Sequence, residues 1–575
     1  MTKENKQILT AFMQRGYLLS PELLKSATLN KEFLNKIDTK IITKEKPVVI
    51  GKDVFRGVNG KGIGNINWRE FEKSRVLHER GKTNRVYTSF LELLFDTQEE
   101  PIVEEPVVDA FEQEIPEVQV EEEQHTQEHV VVEQIQAVVH KEAVKEDVKE
   151  GIQPHVIDKN RLVTVLKSYE KAPKKWQVKD FTFYFKRRYQ FLQQILQTRQ
   201  ELQNLTSIAR IKTKQEREQV ACVGLVYDKR LSKNGNHLIS LEDPTGIITI
   251  LAKPDVEGVD DICLDEVIAI KGSTAKNMVF AKTLFFPDIP VITKPKMAQE
   301  DAYFAVISDI HVGSQNFLED KLLRFIDWLN LNNISDKEKF IAERVKYLFI
   351  VGDLVAGTGV YPHQESELVI KDLRSQYIKL AEYLSKIRND ITLIICPGNH
   401  DATRMAEPQP PLLKEFTAPL FELTNAVFVS SPAVVNIHKQ ENFEGFNVLM
   451  YHGSSFHYYN NSISHLREGD AKNHPHLTWQ YLLKKRHLAP THGATVYLPD
   501  PEEDGLLIDT VPDIVVNGDI HRSDLGNYNG VITISPSCWE KKSHIQERRG
   551  NEPDPGNVPF FNMKTRETTF IDFNK

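Results

Sequence analysis

The C-terminal half alternates short apolar runs with longer amphipathic segments. Five runs rich in Ile, Val, Leu and Phe stand out: Ala302 to Ile307, Tyr347 to Val351, Ile391 to Cys396, Phe446 to Met450 and Asp513 to Val516. Each is strand length and lacks polar alternation, which predicts strands buried on both faces. Helix-like segments separate them, so the pattern predicts a layered α/β domain over residues 300–575. In such sheets functional side chains gather where strands end. Here each run stops at potential metal ligands: Ser308-Asp309-Ile310-His311, Gly352-Asp353, Gly398-Asn399-His400-Asp401, Tyr451-His452-Gly453 and Asn517-Gly518-Asp519-Ile520-His521.

Upstream the period shortens. Val220 to Leu225, His237 to Glu242, Gly246 to Ala252, Glu266 to Lys271 and Asn277 to Phe285 are short strands parted by Asn234-Gly235 and Asp243-Pro244-Thr245-Gly246. Five strands with such turns predict an OB-fold barrel over 216–290. Aromatics are few in its middle strands, which favours a docking barrel over an independent binder of single strands. Before it, residues 158–215 are expected to be a helical lead-in. Phe181, Tyr184, Phe185, Phe191, Leu192, Ile195 and Leu196 fit one helical face, and Lys186, Arg187 and Arg188 on the other side are expected on a solvated face rather than on DNA phosphate.

The first 95 residues predict a small, mainly helical module. Residues 96–157 break the pattern: Glu and Val dominate, and Pro101, Pro106 and Pro116 interrupt regularity. Such a stretch cannot bury enough apolar surface to offset its ordering entropy, so it is expected to be a disordered acidic linker.

Composition changes this picture little. At 575 residues two or three domains are expected, and 40% hydrophobic residues supply a core. The net charge of −9 is only a weak argument against nucleic-acid binding by bulk charge alone, because the acid is concentrated in one segment. Cys222, Cys263, Cys396 and Cys538 are widely spaced, as expected of reduced, buried thiols rather than disulfides or a zinc knuckle. No apolar run approaches the roughly 20 residues of a membrane span, and the start offers no signal-peptide core, so a cytoplasmic location without membrane contact is expected.

The five strand-end segments carry the chemistry. Asp309 and His311 sit two residues apart and can reach one ion. Asp353 is suited to bridge two ions, Asn399 offers a carbonyl oxygen, and His452 and His521 offer nitrogens. A mixed O/N set suits Mn²⁺, Fe, Zn²⁺ or Co²⁺ rather than a calcium cage or a thiolate site. Two ions about 3.5–4 Å apart can bind phosphate oxygens, generate hydroxide near neutral pH and stabilise charge build-up. His400, next to the ligand Asn399, is free to protonate a leaving oxygen.

These segments resemble the calcineurin-like metallophosphoesterase superfamily, whose motifs run D-x-H, G-D, G-N-H-D/E, H and G-H-x-H. That resemblance implies a β-sandwich flanked by helices. A barrel just before it is the arrangement of polymerase B-subunits. Gly352-Asp353-Leu354-Val355 continuing to Gly359-Val360-Tyr361-Pro362, and Pro397 to Asp401 continuing to Ala406-Glu407-Pro408-Gln409-Pro410-Pro411, are similar to the small subunits of archaeal D-family DNA polymerases. Leu483 to Pro490 and Pro555 to Pro559 resemble them too. The similarity runs from about residue 160 to 575.

It implies a metal-dependent 3′–5′ exonuclease that proofreads DNA in a heterodimer, with polymerisation supplied by a large catalytic subunit. By motif, Asp309, His311, Asp353 and His521 would hold one ion, and Asp353, Asn399, His452 and position 519 the other. His400 would be the catalytic acid. Position 519 departs: the superfamily has histidine where this chain has Asp519. A carboxylate there keeps a ligand but makes the site harder, so two divalent ions, Mn²⁺ foremost with Mg²⁺ as the alternative, are expected. Implied partners are the large subunit, DNA with a single-stranded or mismatched 3′ end, and a sliding clamp or primase through the N-terminal region. Lys484, Lys485 and Arg486, near His487 and His492, offer either a phosphate-binding run or a solvated helix end. Tyr361, like Tyr458 and Tyr459, offers either a stacking platform or loop packing. Trp539 is expected to pack. The rival readings are a noncatalytic scaffold subunit, for which Asp519 is the best support, and a stand-alone repair nuclease or phosphatase.

Overall fold

The five apolar runs fold as anticipated, at Tyr303–Ile307, Val345–Val351, Thr392–Cys396, Phe446–Met450 and Ile514–Val516. The computed structural model describes residues 163–171, 174–542, 550 and 552–575, together with Leu18–Leu19 and Val49–Ile50. Those two dipeptides pair in parallel within a unit spanning residues 1–145. The helical module expected at 1–95 otherwise falls outside the described residues, as does the linker expected at 96–157.

The second unit holds two six-stranded sheets and a closed barrel. One sheet runs Ala426–Phe428, Thr392–Cys396, Val345–Val351, Tyr303–Ile307, Asn557–Asn562, Thr568–Asp572. Its first four strands are parallel, so their carboxyl ends share one edge. The other runs Asp524–Tyr528, Val531–Ser535, Ile514–Val516, Phe446–Met450, Ala433–Ile437, Val163–Ser168. Between the sheets Phe304, Phe349, Ile394, Val448, Val516 and Phe561 form a common core. Helices Glu319–Leu329 and Leu373–Leu384 cover one outer face, while Phe456–Ser462 and Pro475–Lys485 cover the other. Burial on both faces explains the unbroken apolar runs.

The barrel closes through Gln219–Leu231, His237–Asp243, Gly246–Ala252, Met278–Phe285 and Val267–Ala275. Gly272 is required at the closure, because a Cβ there would fall on the Phe280 carbonyl. The carboxylate of Asp243 accepts from Thr245 in its turn and from the Ile208 N–H at 2.9 Å, seating the short helix Ile208–Lys212 on the barrel core.

Three expectations are corrected. The lead-in is not wholly helical: it opens with the strand Val163–Ser168, which pairs antiparallel with Ala433–Ile437. The barrel is therefore an insertion between an edge strand and the rest of the sandwich. Arg188 is not solvated. It lies on the helix Val178–Gln197, fully buried against Asp504. Finally, the Lys484–Lys485–Arg486 run forms a seam with neighbouring backbone and the barrel rather than a free basic face. Lys485 Nζ meets Glu266 at 2.7 Å with both side chains buried, and Lys484 Nζ meets Asp261 at 3.0 Å. Arg486 donates to the carbonyls of Ile508 and Asp509. A buried carboxylate at 266 needs a cation, and this run supplies it.

All four cysteines are buried and unpaired. No described helix is long and apolar enough to cross a membrane.

Candidate metal centre

Parallel pairing delivers the ligand loops to one place. The Asp309 N–H donates to the Gly352 carbonyl at 3.0 Å, His311 N–H to Asp353 O at 3.0 Å, and Gly352 N–H to Cys396 O at 3.1 Å. Gly518 N–H donates to His452 O at 2.8 Å, tying the last two loops of the second sheet. Asp309, His311, Asp353, Asp519 and His521 all take left-handed φ between 51° and 65°. That conformation costs roughly 1–2 kcal/mol per residue outside glycine, and it survives because the surrounding packing fixes it. The glycines beside them are needed for space. A Cβ at Gly518 would lie 2.5 Å from Val351 O and 2.9 Å from Asp309 Oδ2, and one at Gly398 would fall on Asp353.

Within this cradle the expected ligands converge. Ligand atoms of Asp309, His311 and His521 lie within 4.8 Å of one another, and so do those of Asp309, Asp353 and His452. His521 Nε2 is 3.1 Å from Asp309 Oδ1, and His311 Nε2 is 3.7 Å from Asp353 Oδ2. On the other side His452 Nε2 is 3.1 Å from Asn399 Oδ1, 3.3 Å from Asp353 Oδ1 and 3.9 Å from Asp519 Oδ1. Asp353 thus stands between two groups of donors. The Nδ1 of His452 lies 2.9 Å from the Val351 carbonyl, which can only accept, so Nδ1 carries a proton and Nε2 is the nitrogen turned to the cluster.

The charges call for cations. Burial alone would depress the His452 pKa, but the carboxylates of Asp353, Asp309 and Asp519 outweigh it and hold it well above the usual histidine value. His521 is likewise raised against burial, by Cys538 and Asp309. Burial would raise Asp353, yet His400 and His452 hold it well below the ordinary carboxylate range. His311 is pushed down, chiefly by burial, and is ready as a neutral ligand. Buried carboxylates packed against histidine nitrogens are a donor set suited to divalent cations. Asp519 Oδ2, buried without a hydrogen-bond partner, points the same way. The residues fit two divalent ions.

His400 is placed differently. Its backbone N–H donates to Asp353 Oδ1 at 2.9 Å, and Nδ1 donates to the Ala356 carbonyl at 2.8 Å, which also accepts from Gln364. Nε2 lies 3.8 Å from Asp353 Oδ2, close enough to group with His311 and Asp353, and it faces a cavity of about 470 Å³ that His400 lines together with Tyr361, Met405 and Val496. Tyr361 sits beside His400 with its hydroxyl held by Glu367 at 2.8 Å. Tyr459 is buried core and Tyr458 packs against it. Trp539 packs on Phe325, as expected.

Three contributors were not singled out from sequence. Asp401 accepts from the N–H groups of Gly398 and Leu354 and from the Tyr377 hydroxyl, locking two ligand loops together. Its place in the Gly-Asn-His-Asp segment was the available signal. Glu540 brings a carboxylate to 3.7 Å from His311 Nε2, and nothing local in the sequence marks it. His457 lies 3.5 Å from Asp519, five residues after His452.

Residues 302–523 match the family model of calcineurin-like phosphoesterases. The chain is 37% identical over 404 residues to the DNA polymerase II small subunit of Pyrococcus abyssi, covering 69% of this chain and 63% of that protein. It is 35% identical over 390 residues to the DNA polymerase II small subunit of Methanothermobacter thermautotrophicus, covering 67% and 78%. The match thus spans less than two thirds of the Pyrococcus relative and more than two thirds of the Methanothermobacter one.

Proposed function

The chain belongs to the DNA polymerase II small subunit family, and on that premise we propose that it hydrolyses the terminal phosphodiester of a DNA 3′ end as the proofreading subunit of a heterodimeric polymerase. The observation that carries this reading is the complete donor set around Asp353, with His400 Nε2 presented to the same cavity. A noncatalytic scaffold has no need for such a set. The large catalytic subunit is the proposed partner and supplies polymerisation. Contacts with a sliding clamp or primase are assigned to the N-terminal region.

Asp309, His311, Asp353 and His521 would hold one ion, and Asp353, Asn399, His452 and Asp519 the other. Two divalent ions supply Lewis acidity to the phosphate oxygens and make water a nucleophile near neutral pH. With a carboxylate at 519 the second site is hard, which favours Mn²⁺. As the new P–O bond forms, the bond to the neighbouring 3′ oxygen breaks, and His400 Nε2 gives that oxygen its proton while Nδ1 stays on Ala356. Tyr361, oriented by Glu367, offers a ring for the unpaired terminal base. A mismatched end enters such a cavity more readily because its base is already unstacked.

The test is degradation of a 3′-labelled primer with a terminal mismatch, in Mn²⁺, with and without the large subunit. The wild type should shorten the primer and His400→Ala should lose about 10²–10⁴ of the rate. Equal activity of the two proteins, or none in the wild type under any divalent ion, sinks the proposal.

A further inference from the structure

We propose that His457 and Asp519 act as one unit at the second metal position, with Asp519 as the ligand and His457 as the positioning residue that holds its outer oxygen. The inference rests on the two-metal reading above and concerns how this chain meets it with a carboxylate where the superfamily motif has histidine.

The Asp519 loop is fixed from behind. Its backbone N–H donates to both carboxylate oxygens of Asp309, at 3.2 and 3.0 Å, and its φ is 65°. The side chain therefore has little choice of direction. Oδ1 lies toward the cluster, 3.9 Å from His452 Nε2. Oδ2 is buried with no hydrogen-bond partner, and His457 Nε2 stands 3.5 Å from it. The pair is within ion-pair distance but not aligned as a hydrogen bond, so a small shift of either side chain completes it.

Its placement follows from the fold. Phe456 N–H donates to the Gly453 carbonyl at 2.8 Å, so the helix Phe456–Ser462 starts immediately after the His452 loop. Gly453 takes φ 118°, and a Cβ there would meet Gly518 O at 3.3 Å and the Asp519 Cβ at 3.4 Å. The loops carrying His452 and Asp519 thus touch, and the first turn of the helix sets His457 over Asp519 at the wall of the same cavity.

A monodentate carboxylate is a poorer fixed ligand than an imidazole, because it rotates and has a second oxygen to satisfy. An N–H donor on that oxygen removes both defects. Partners of this kind typically change metal affinity 10–100-fold. Replacing histidine by aspartate also adds negative charge beside Asp309 and Asp353, so a second carboxylate at 457 would be badly tolerated.

The full-length chain, titrated with Mn²⁺ alone and followed by electron paramagnetic resonance of the free ion, tests this. The wild type should bind two ions. His457→Ala should weaken one of them about 10–100-fold and leave the other unchanged. His457→Asp alone should be at least as harmful, with two carboxylates facing each other. The exchange His457→Asp with Asp519→His should restore two-ion binding, because a histidine ligand then has a carboxylate partner. Thermal melts of each variant without metal separate a folding defect from a binding one. Wild-type affinity in both single variants overturns the inference, as does failure of the exchange to rescue a folded His457→Asp. A wild-type chain that holds no Mn²⁺ overturns the two-metal reading itself, and this inference with it.

Discussion

Arg188 Nε and Asp504 Oδ2 meet at 2.8 Å with both side chains fully buried, joining the helix ahead of the barrel to the phosphoesterase half. Tyr184 and His487 donate to the same carboxylate, at 2.6 and 2.8 Å. Removing one partner strands the other charge in the interior, and Arg188→Met is expected to cost about 3–5 kcal/mol. The double variant Arg188→Met/Asp504→Leu should recover only part of that loss, because Tyr184 and His487 then lose their buried acceptor. Chemical denaturation of both proteins checks it, and an Arg188→Met midpoint equal to wild type would refute it.

His487 in that network makes stability depend on acid. Its Nδ1 accepts the Ala489 N–H at 2.9 Å while Nε2 donates to Asp504, so the folded chain holds a neutral ring. Burial and then Arg188 push its pKa down to about 4. An unfolded chain takes up a proton near pH 6.5, whereas the folded one does not until about pH 4. Stability is therefore lost as pH falls through that window, by about 3 kcal/mol at its foot. Asp504 is also held low against burial, by His487 and Arg188, and its contribution fades at still lower pH. His487→Gln should flatten the pH 4–6.5 slope of the denaturation midpoint.

Much of this architecture was legible because the sandwich is built from strands buried on both faces, and such strands advertise themselves as apolar runs. The convergence of the candidate ligands was legible because they sit directly after those runs, in segments whose spacing is fixed by the loop. Charge was harder. Arg188 and Lys485 look like surface residues in a sequence, since nothing local reveals that Asp504, 316 positions on, and Glu266, far upstream, will bury against them. Val163–Ser168 was missed for a similar reason: an edge strand is recognised by its partner, and Ala433–Ile437 lies beyond the whole barrel. Glu540 and His457 reach the site by packing alone.

The seam gives Lys485 a test that separates docking from DNA binding. Lys485→Met leaves Glu266 buried without its cation and should cost about 3–5 kcal/mol. A phosphate contact would instead appear in the salt dependence of primer affinity, where each lost contact lowers the slope by about one. We expect stability to fall and the slope to stay unchanged. A lower slope at unaltered stability would return the residue to the DNA.

Gly398 offers a substitution that removes no ligand. A Cβ at this position would fall on the Asp353 side chain and backbone, so Gly398→Ala should displace the carboxylate proposed to bridge. On the two-metal proposal both ions would then lose a shared ligand. Two-ion Mn²⁺ binding should collapse and primer degradation with it, while the barrel and the core between the sheets keep the chain folded. Retained stoichiometry in this variant would show that Asp353 does not bridge.

Metal uptake should release protons. Without metal, the carboxylates of Asp353, Asp309 and Asp519 hold His452 above the ordinary histidine value, and Cys538 and Asp309 hold His521 there, so both rings favour the protonated form despite burial. A ring that ligates must give up the proton facing the ion. Loading the site near pH 7 should therefore release protons, measurable by calorimetry in buffers of different ionisation enthalpy. The number should fall as pH rises through the raised histidine values, and apparent affinity should rise with it. His452→Ala should lower the count. The same shifts set the stability of the metal-free chain. A histidine raised in the folded state contributes stability that is complete below its unfolded pKa and is lost as pH climbs through the folded one. Chelated protein should thus weaken toward alkaline pH, the reverse of the His487 effect, and Mn²⁺ should abolish that decline because the ion replaces the protons. A proton count near zero at pH 7 would mean that the rings are neutral before metal arrives.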